Sequence, residues 1–377
     1  MKLKSTLASE VMADYERRKN ERKYMELQWN LNLDFVNGKQ NNHVTKFDTI
    51  TTLGKQFFWQ GAEVFNHIAP MVEARLSKIA SILPESNADA NMWSEITGTS
   101  FYKVVWDKGA GSVIGEVDGK PVHEGGIRTV VCSPFEIYPD KINACGVNDC
   151  RSIIHAKTIP TDLVQEIWGE KVTMEDKVVV IEKYVKPTKK YPQGRLITVA
   201  NNKLLYEGSL PYVNQFPFVA QKSETIAGCF YGRSVVERAI PVQRAYNALK
   251  NRQTEFLNRL ACGVLTVEEG SVDLEALEND GLAPGKVIVY RQGSTEPKFM
   301  DCGTLPAEIE REGERLLGEL YAIAGVAEMS QANSGVALQI LVEQDQVRLS
   351  RPIKSIEHAM KEVKQQENKL EEQFRRI

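Results

Sequence analysis

Apolar residues recur three or four positions apart in the first part of the chain, which is the period of an amphipathic helix. Residues 5–33 show this spacing among many charged side chains, and Asn37-Gly38 follows as a helix stop. The spacing returns from about residue 60 to residue 83. Pro70 lies inside this second run and predicts either a kink or a helix start near Asn66. The chain is therefore expected to begin with helices.

The pattern changes near Thr97 to short apolar runs separated by glycine and asparagine turns, which is typical of strands. This region extends to about residue 220, and a short helix at about 161–168 interrupts it. The predicted strands cover residues 101–106, 113–117, 127–132, 178–185 and 195–199.

A helical period resumes from about residue 232 to residue 260, and again between Pro306 and Ala324. Between these helices lies a small β-rich stretch with strand-like runs at 264–267 and 286–290. The two helices could form an antiparallel pair that carries the β-rich unit at its tip.

A last helix follows a loop of small residues at about 330–335 and continues past Pro352 as a highly charged segment to Ile377. The order of elements is thus helices, a β-rich region, a helix, a small β-rich unit, a helix, a loop and a long helix. This order indicates an α+β fold.

The composition is that of a folded protein. Of the 377 residues, 42% are hydrophobic and 26% are charged, and the formal net charge is −3 at pH 7. This charge argues against a general nucleic-acid coat, so any contact with DNA is expected from local patches. Because no run of 18 apolar residues occurs, no membrane span or membrane partner is expected. The six scattered cysteines favour free thiols in a reducing compartment.

Motifs for catalysis or metal binding are weak in this sequence. The stretch from Gly115 to Pro121 is one residue short of a phosphate-binding loop and is interpreted as a hairpin turn. The five histidines lie far apart, and Cys145 and Cys150 have no second pair to complete a zinc site. We therefore expect no catalytic residue, no metal ligand and no cofactor. An enzyme whose site assembles from distant positions stays an alternative.

Eight segments form an ordered series over most of the chain. They are Trp29–Gln40, Asn66–Glu73, Gly98–Asp107, Val131–Asp140, Phe216–Phe218, Tyr231–Glu237, Gly325–Gln331 and Ser334–Asp345. No single segment is as specific as a metal-binding motif. Their joint order resembles that of the portal proteins of tailed bacteriophages.

The resemblance implies a portal-type fold: a helical and β-rich wing, antiparallel stem helices that carry a small β-rich clip, and a long C-terminal helix. The implied parts are residues 1–92 (N-terminal helical part of the wing), 93–230 (β-rich wing domain), 231–261 (first stem helix), 262–304 (clip), 305–327 (second stem helix), 328–336 (tunnel loop) and 337–377 (long wing helix). Two segments, 84–92 and 332–333, are shorter than their counterparts in the family.

The resemblance also implies a structural subunit rather than an enzyme. Copies would form a homo-oligomeric ring of about twelve subunits, through which double-stranded DNA passes without sequence specificity during packaging and ejection. The implied partners are the terminase large subunit, a head-tail adaptor, and capsid and scaffold proteins. The ring would occupy the unique capsid vertex of the virion after assembly in the host cytoplasm. The alternatives are a nuclease or ligase without a recognised motif and a phage scaffold protein without a channel.

The two expected stem helices differ in charge. Residues 232–260 include six basic and two acidic side chains, whereas residues 305–324 include five acidic and two basic ones. Either these are solvated faces, or the opposite charges orient the helices and an acidic channel lining keeps DNA mobile. The candidate channel or subunit-interface residues are Arg244, Lys250, Arg252, Arg259, Glu308, Glu312 and Glu319. The candidate tunnel-loop residues are Glu328, Gln331, Asn333 and Ser334.

Overall fold

The chain divides into two compact units in the computed structural model. The first unit contains Met1–Asp48, Asn66–Pro241 and Leu320–Ile377, and the second contains Thr49–Phe65 and Val242–Glu319. The structure describes residues 2–40, 64–117, 120–170, 172–212, 215–262, 265–275, 287–300, 303–326 and 335–374. Within these ranges, side chains are described except at 2–5, 117, 120, 258–259, 261–262 and 335–346.

Helices and strands are both prominent, which confirms the predicted α+β class. The helices are α1 (Lys2–Glu21), α2 (Lys23–Val36), α3 (Ile68–Ile82), α4 (Ala88–Thr97), α5 (Thr161–Trp168), α6 (Val235–Cys262), α7 (Ala307–Ala324) and α8 (Gly335–Phe374). None of the helices among the described residues has the length and apolar character needed to cross a membrane.

Two antiparallel sheets form the β-rich part of the first unit. The smaller sheet has the order β10-β1-β4, and the larger has the order β5-β6-β7-β8-β9. A separate hairpin joins β2 to β3. The strands are β1 (Thr99–Asp107), β2 (Val113–Val117), β3 (Lys120–His123), β4 (Gly126–Cys132), β5 (Ile137–Pro139), β6 (Ser152–Pro160), β7 (Lys177–Val185), β8 (Arg195–Ala200), β9 (Lys203–Gly208) and β10 (Phe218–Lys222).

Strand β7 shows how the larger sheet is covered, because successive side chains point to opposite faces. Val178 and Val180 pack with Val164 of α5. Ile181, on the opposite face, packs with Val11 of α1. Burial on both faces explains the nearly continuous apolar run of this strand, which made it predictable from the sequence.

A buried arginine marks the break between α1 and α2. Arg22 is 1% exposed, and its guanidinium donates hydrogen bonds to the carbonyl oxygens of Pro134 (2.8 Å), Phe135 (2.5 Å) and Ile137 (2.6 Å). The guanidinium carbon also lies 3.4 Å from the ring centroid of Tyr138. These bonds satisfy the buried cation and attach the helices to the 3-10 turn that precedes β5.

Helix α4 was not predicted, and it occupies the first residues that were assigned to the β-rich wing domain. That domain is expected to begin at residue 93, but the residues up to Thr97 are helical. The side chain of Asn87 accepts a hydrogen bond from the N–H of Ala90 at the helix N-terminus, and Gly98 ends the helix with a φ of 89°. The short segment after Pro84 is therefore a turn followed by this helix.

The first residue of α3 decides between the two predictions for Pro70, a kink inside a helix or a helix start near Asn66. The described residues 64–67 are not helical, and the helix begins at Ile68, so its expected start near residue 60 was wrong. Asn66 Oδ1 accepts a hydrogen bond from the N–H of Ala69 at 3.2 Å. Pro70 then lies in the first turn, where its missing N–H removes no intrahelical bond.

The second unit contains most of α6 and α7 and a small pair of strands. Strand β11 (Leu265–Thr266) pairs antiparallel with β12 (Lys298–Phe299). The predicted strand at 286–290 was wrong, because residues 287–290 are irregular and largely exposed and residue 286 lies outside the described residues. Gln243 of α6 donates a hydrogen bond to the carbonyl oxygen of Phe65 at 2.5 Å.

Asp14 of α1 sits among three cations, one of which, Lys183 of β7, links this helix to the larger sheet. Its carboxylate lies 2.8 Å from Arg18, 2.7 Å from Lys183 of β7 and 2.7 Å from Arg17. Burial alone would raise the pKa of Asp14, but the hydrogen bonds from Arg18 and Lys183 outweigh it and lower the pKa well below its usual value.

We predict that Asp14→Asn lowers the free energy of unfolding at pH 7 by roughly 1.5–3 kcal/mol, because it removes charge-assisted hydrogen bonds. A lowered pKa in the folded state contributes stability above the unfolded pKa of about 4, and this contribution disappears as the pH falls. The difference from the wild type should therefore shrink in acid. Urea denaturation at several pH values measures it. Glu16→Gln, on the exposed face of the same helix, is the control. Equal effects of the two variants at pH 7 would contradict the prediction.

Candidate functional site

The basic candidates on α6 differ in exposure. Arg244 and Arg252 are exposed. Lys250 is half-buried, donates a hydrogen bond to Gln253 Oε1 at 3.2 Å and lies 5.9 Å from the ring centroid of Tyr246. The side chain of Arg259 lies outside the described residues.

Two of the three acidic candidates on α7 form ion pairs with a cation of the same helix. Arg315 lies 2.7 Å from Glu312 and 3.7 Å from Glu319. The hydrogen bond from Arg315 lowers the pKa of Glu312. Glu308 is exposed. Two carboxylates thus share one guanidinium, which leaves α7 with an acidic surplus. Charge pairing between α6 and α7 stays a prediction.

The four candidate tunnel-loop residues are not placed by the structure. Glu328, Gln331, Asn333 and Ser334 all lie outside the described residues. Described chain resumes at Gly335, where α8 begins.

The ends of α6 and α7 that belong to the first unit lie near Glu95 of α4, whose carboxylate is buried and 1% exposed. Arg75 of α3 donates to Glu95 Oε2 at 2.5 Å, and Ser223 donates to Glu95 Oε1 at 3.0 Å. Arg75 also donates to the carbonyl oxygen of Ala324, the last residue of α7, at 2.5 Å. One ion pair therefore joins α3 and α4 to the end of α7.

The start of α6 is held by the same part of α4. Ser234 Oγ donates to the main-chain carbonyl oxygen of Glu95 at 2.7 Å and accepts a hydrogen bond from the N–H of Val236. Gly98 and Gly232 lie so close that a Cβ on Gly232 would be 2.5 Å from the carbonyl oxygen of Gly98. The two glycines permit this contact between backbones.

Sequence reasoning missed this anchor because it predicted no helix between residues 84 and 97 and placed residues from 93 onward in the β-rich wing domain. A weak signal was present. Asn87 stands at a helix N-cap position and Gly98 follows eleven residues later, which together are compatible with a short helix. Nothing in the spacing identified Arg75 as the partner of Glu95, because these side chains come from different helices.

A second buried polar cluster lies between the two sheets of the first unit. Cys132 ends β4, Glu136 lies in the 3-10 turn after it, and His155 lies in β6. The distances to His155 Nε2 are 3.9 Å from Cys132 Sγ and 3.3 Å from Glu136 Oε2. One donor atom from each residue fits within 4.8 Å of the others. We expected no such cluster from the scattered histidines and cysteines.

The opposite side of His155 faces a carboxylate. His155 Nδ1 lies 3.0 Å from Glu182 Oε2, which also accepts hydrogen bonds from Lys103 Nζ at 2.6 Å and from the Tyr184 hydroxyl at 3.0 Å. Lys103 Nζ is 3.2 Å from His155 Nδ1. Burial alone would lower the pKa of His155, but its hydrogen bonds to Cys132, Glu136 and Glu182 raise the pKa to about 10.

Comparison with known protein families identifies one match. The family model described as "Phage P22-like portal protein" matches residues 169–374, which is more than half of the chain. The matched range begins just after α5 and includes α6, α7 and α8. No curated protein matches. The family match confirms the resemblance found in the sequence.

We predict that Glu95→Gln lowers the free energy of unfolding by about 3–5 kcal/mol, because it leaves Arg75 buried without a counter-charge. Asp89→Asn, an exposed change on the same helix, should cost no more than about 0.5 kcal/mol. Urea denaturation followed by tryptophan fluorescence measures both values. A loss below about 1 kcal/mol for Glu95→Gln would show that the ion pair is not the anchor described here.

Proposed function

Because the chain belongs to the Phage P22-like portal protein family, we propose that it forms the ring through which DNA enters and leaves the phage capsid. Membership implies a structural protein of the virion that acts in an oligomer, together with other phage proteins. The observation that carries the proposal is the family match over residues 169–374. The ring would contain about twelve copies at the unique capsid vertex, assembled in the host cytoplasm.

In this proposal, the domain assignment made from the sequence applies with one change. Helix α6 is the first stem helix, the segment with β11 and β12 is the clip, and α7 is the second stem helix. The wing contains the two sheets, and α8 is its long helix. The β-rich wing domain begins after Thr97 rather than at residue 93, because α4 continues the N-terminal helical part.

A channel that moves DNA would work together with several other phage proteins. The terminase large subunit would drive double-stranded DNA through the ring, a head-tail adaptor would close it, and capsid and scaffold proteins would surround it. A channel that binds phosphates tightly would hold DNA in place, since contacts to phosphates dominate affinity for DNA. The acidic surplus of α7 and the net charge of −3 suit passage without sequence specificity.

The charged stem helices would act either between subunits or on the DNA. The ion pairs of Arg315 with Glu312 and Glu319 are largely exposed, so solvent screens them and each contributes little to stability. Pairs of this strength would bias the assembly of a ring without locking it. If α7 lines the channel, its remaining carboxylates would repel phosphate and keep DNA mobile.

We predict that the purified chain at high concentration forms a closed ring of about twelve copies in native mass spectrometry. The interfaces should be heterologous, because a ring repeats one contact by rotation. A dilution series separates stable rings from concentration-dependent association. A spectrum with only monomer and dimer throughout that series would count against the ring.

We further predict that replacing Glu308, Glu312 and Glu319 together by lysine changes assembly or packaging. Lost rings would show an interface role, whereas intact rings that stall DNA packaging would show a channel role. The control replaces Glu16, Glu85 and Glu175, which are exposed and outside the stem, by lysine. It makes the same change in net charge. If the stem variant assembles and packages as the control does, these carboxylates belong to solvated faces.

A further inference from the structure

The buried cluster of Cys132, Glu136 and His155 has the geometry of a metal site. Donor atoms bound tetrahedrally to one zinc ion at about 2.0–2.3 Å lie about 3.3–3.6 Å apart. The observed separations from His155 Nε2 are 3.3 Å to Glu136 and 3.9 Å to Cys132. Both separations from His155 Nε2 are thus within a few tenths of an ångström of the tetrahedral spacing, and all three donor atoms lie within 4.8 Å of one another.

The surroundings of His155 are those of a metal-binding imidazole. A histidine that ligates through one ring nitrogen usually donates the other N–H to a carboxylate, which fixes the orientation of the ring. Here Nε2 faces Cys132 and Glu136, and Nδ1 faces Glu182 at 3.0 Å. Glu182 is itself oriented by Lys103 and Tyr184. This outer layer of hydrogen bonds distinguishes the cluster from three donors that lie near one another without orientation.

The charge of the cluster also matches a divalent cation. With Cys132 as a thiolate, the cluster holds three negative groups, the others being Glu136 and Glu182, and one positive group, Lys103. A neutral His155 adds no charge, so two negative charges stay uncompensated. A divalent cation would neutralise them in a site where an unpaired charge is costly.

We propose that Cys132, Glu136 and His155 bind a soft divalent cation of the Zn²⁺ class, with a water molecule as the fourth ligand. The side chain of Glu136 is 25% exposed, so this side of the cluster is accessible to solvent. Thiolate and imidazole ligands favour zinc over magnesium or calcium. The ion would join the end of β4 and the turn after it to β6, and so connect the two sheets of the first unit. This inference does not depend on ring formation.

The test uses the purified chain, freed of metal with a chelator, and Co²⁺ as the probe. Co²⁺ bound to a thiolate should give a charge-transfer absorption in the near ultraviolet, which Zn²⁺ should abolish by competition. Cys132→Ser should lose this absorption. Cys145→Ser, which removes an exposed thiol outside the cluster, should keep it. Circular dichroism checks that each variant is folded, and Cys132→Ala, which also removes the thiolate, replaces Cys132→Ser if the latter is not.

Two further measurements make the assignment specific. Glu182→Gln should weaken Zn²⁺ binding by about 10–100-fold, as is typical when a group that orients a metal ligand is lost. Zn²⁺ should also raise the thermal unfolding midpoint of the wild type and of Cys145→Ser. The proposal is wrong if the wild type shows neither the absorption nor the thermal shift. It is equally wrong if Cys132→Ser retains both, because the cluster is then a proton-linked network only.

Discussion

The buried ion pair between Arg75 and Glu95 is the interaction that joins α3 and α4 to the end of α7 in the first unit. A carboxylate that is 1% exposed is tolerated only when its charge and its lone pairs are satisfied. Arg75 and Ser223 satisfy Glu95, and each belongs to a different segment. Because Arg75 also bonds the last carbonyl of α7, the same ion pair sets where that helix ends. The start of α6 is held by the main chain of the same residue through Ser234. The buried ion pair thus holds the end of α7, and the main chain of Glu95 holds the start of α6 nearby.

The remaining buried charges of the first unit follow the same rule. Arg22 is fully buried, and main-chain carbonyl oxygens at the turn before β5 surround its guanidinium. His155 sits between two carboxylates where the sheets meet, whether a proton or a metal ion completes its charge balance. Such groups contribute little net stability when paired but cost several kcal/mol when one partner is lost. An apolar core alone would tolerate several arrangements of sheets and helices. The paired buried charges therefore specify one of them. In the proposed portal, this would give the stem a defined origin on the wing.

The sequence predicted those elements whose pattern is local. Helices α6 and α7 show an apolar period, and β7 shows a nearly continuous apolar run. Both patterns involve residues close together in the sequence, so they could be recognised without knowing the fold. Helix α4 was missed because its ten residues are too few to show a clear period. The strand expected at 286–290 was wrong because the apolar residues at 287–290 pair with no strand among the described residues, whereas Lys298–Phe299 pairs with β11. Strand formation depends on a partner elsewhere in the chain, which spacing does not reveal.

By itself, the sequence determined the α+β class, the opposite charges of α6 and α7, and the order of segments that resembles the portal family. These follow from composition, local period and linear order. Only the tertiary structure decided which buried polar groups meet. Arg75 and Glu95 come from separate helices, and Cys132 and His155 come from strands of different sheets. These contacts result from how the helices pack and which strands pair. The positions of these residues along the chain do not predict them. The physical reason is that a buried polar group needs a partner in space, whereas a sequence pattern records only neighbours along the chain.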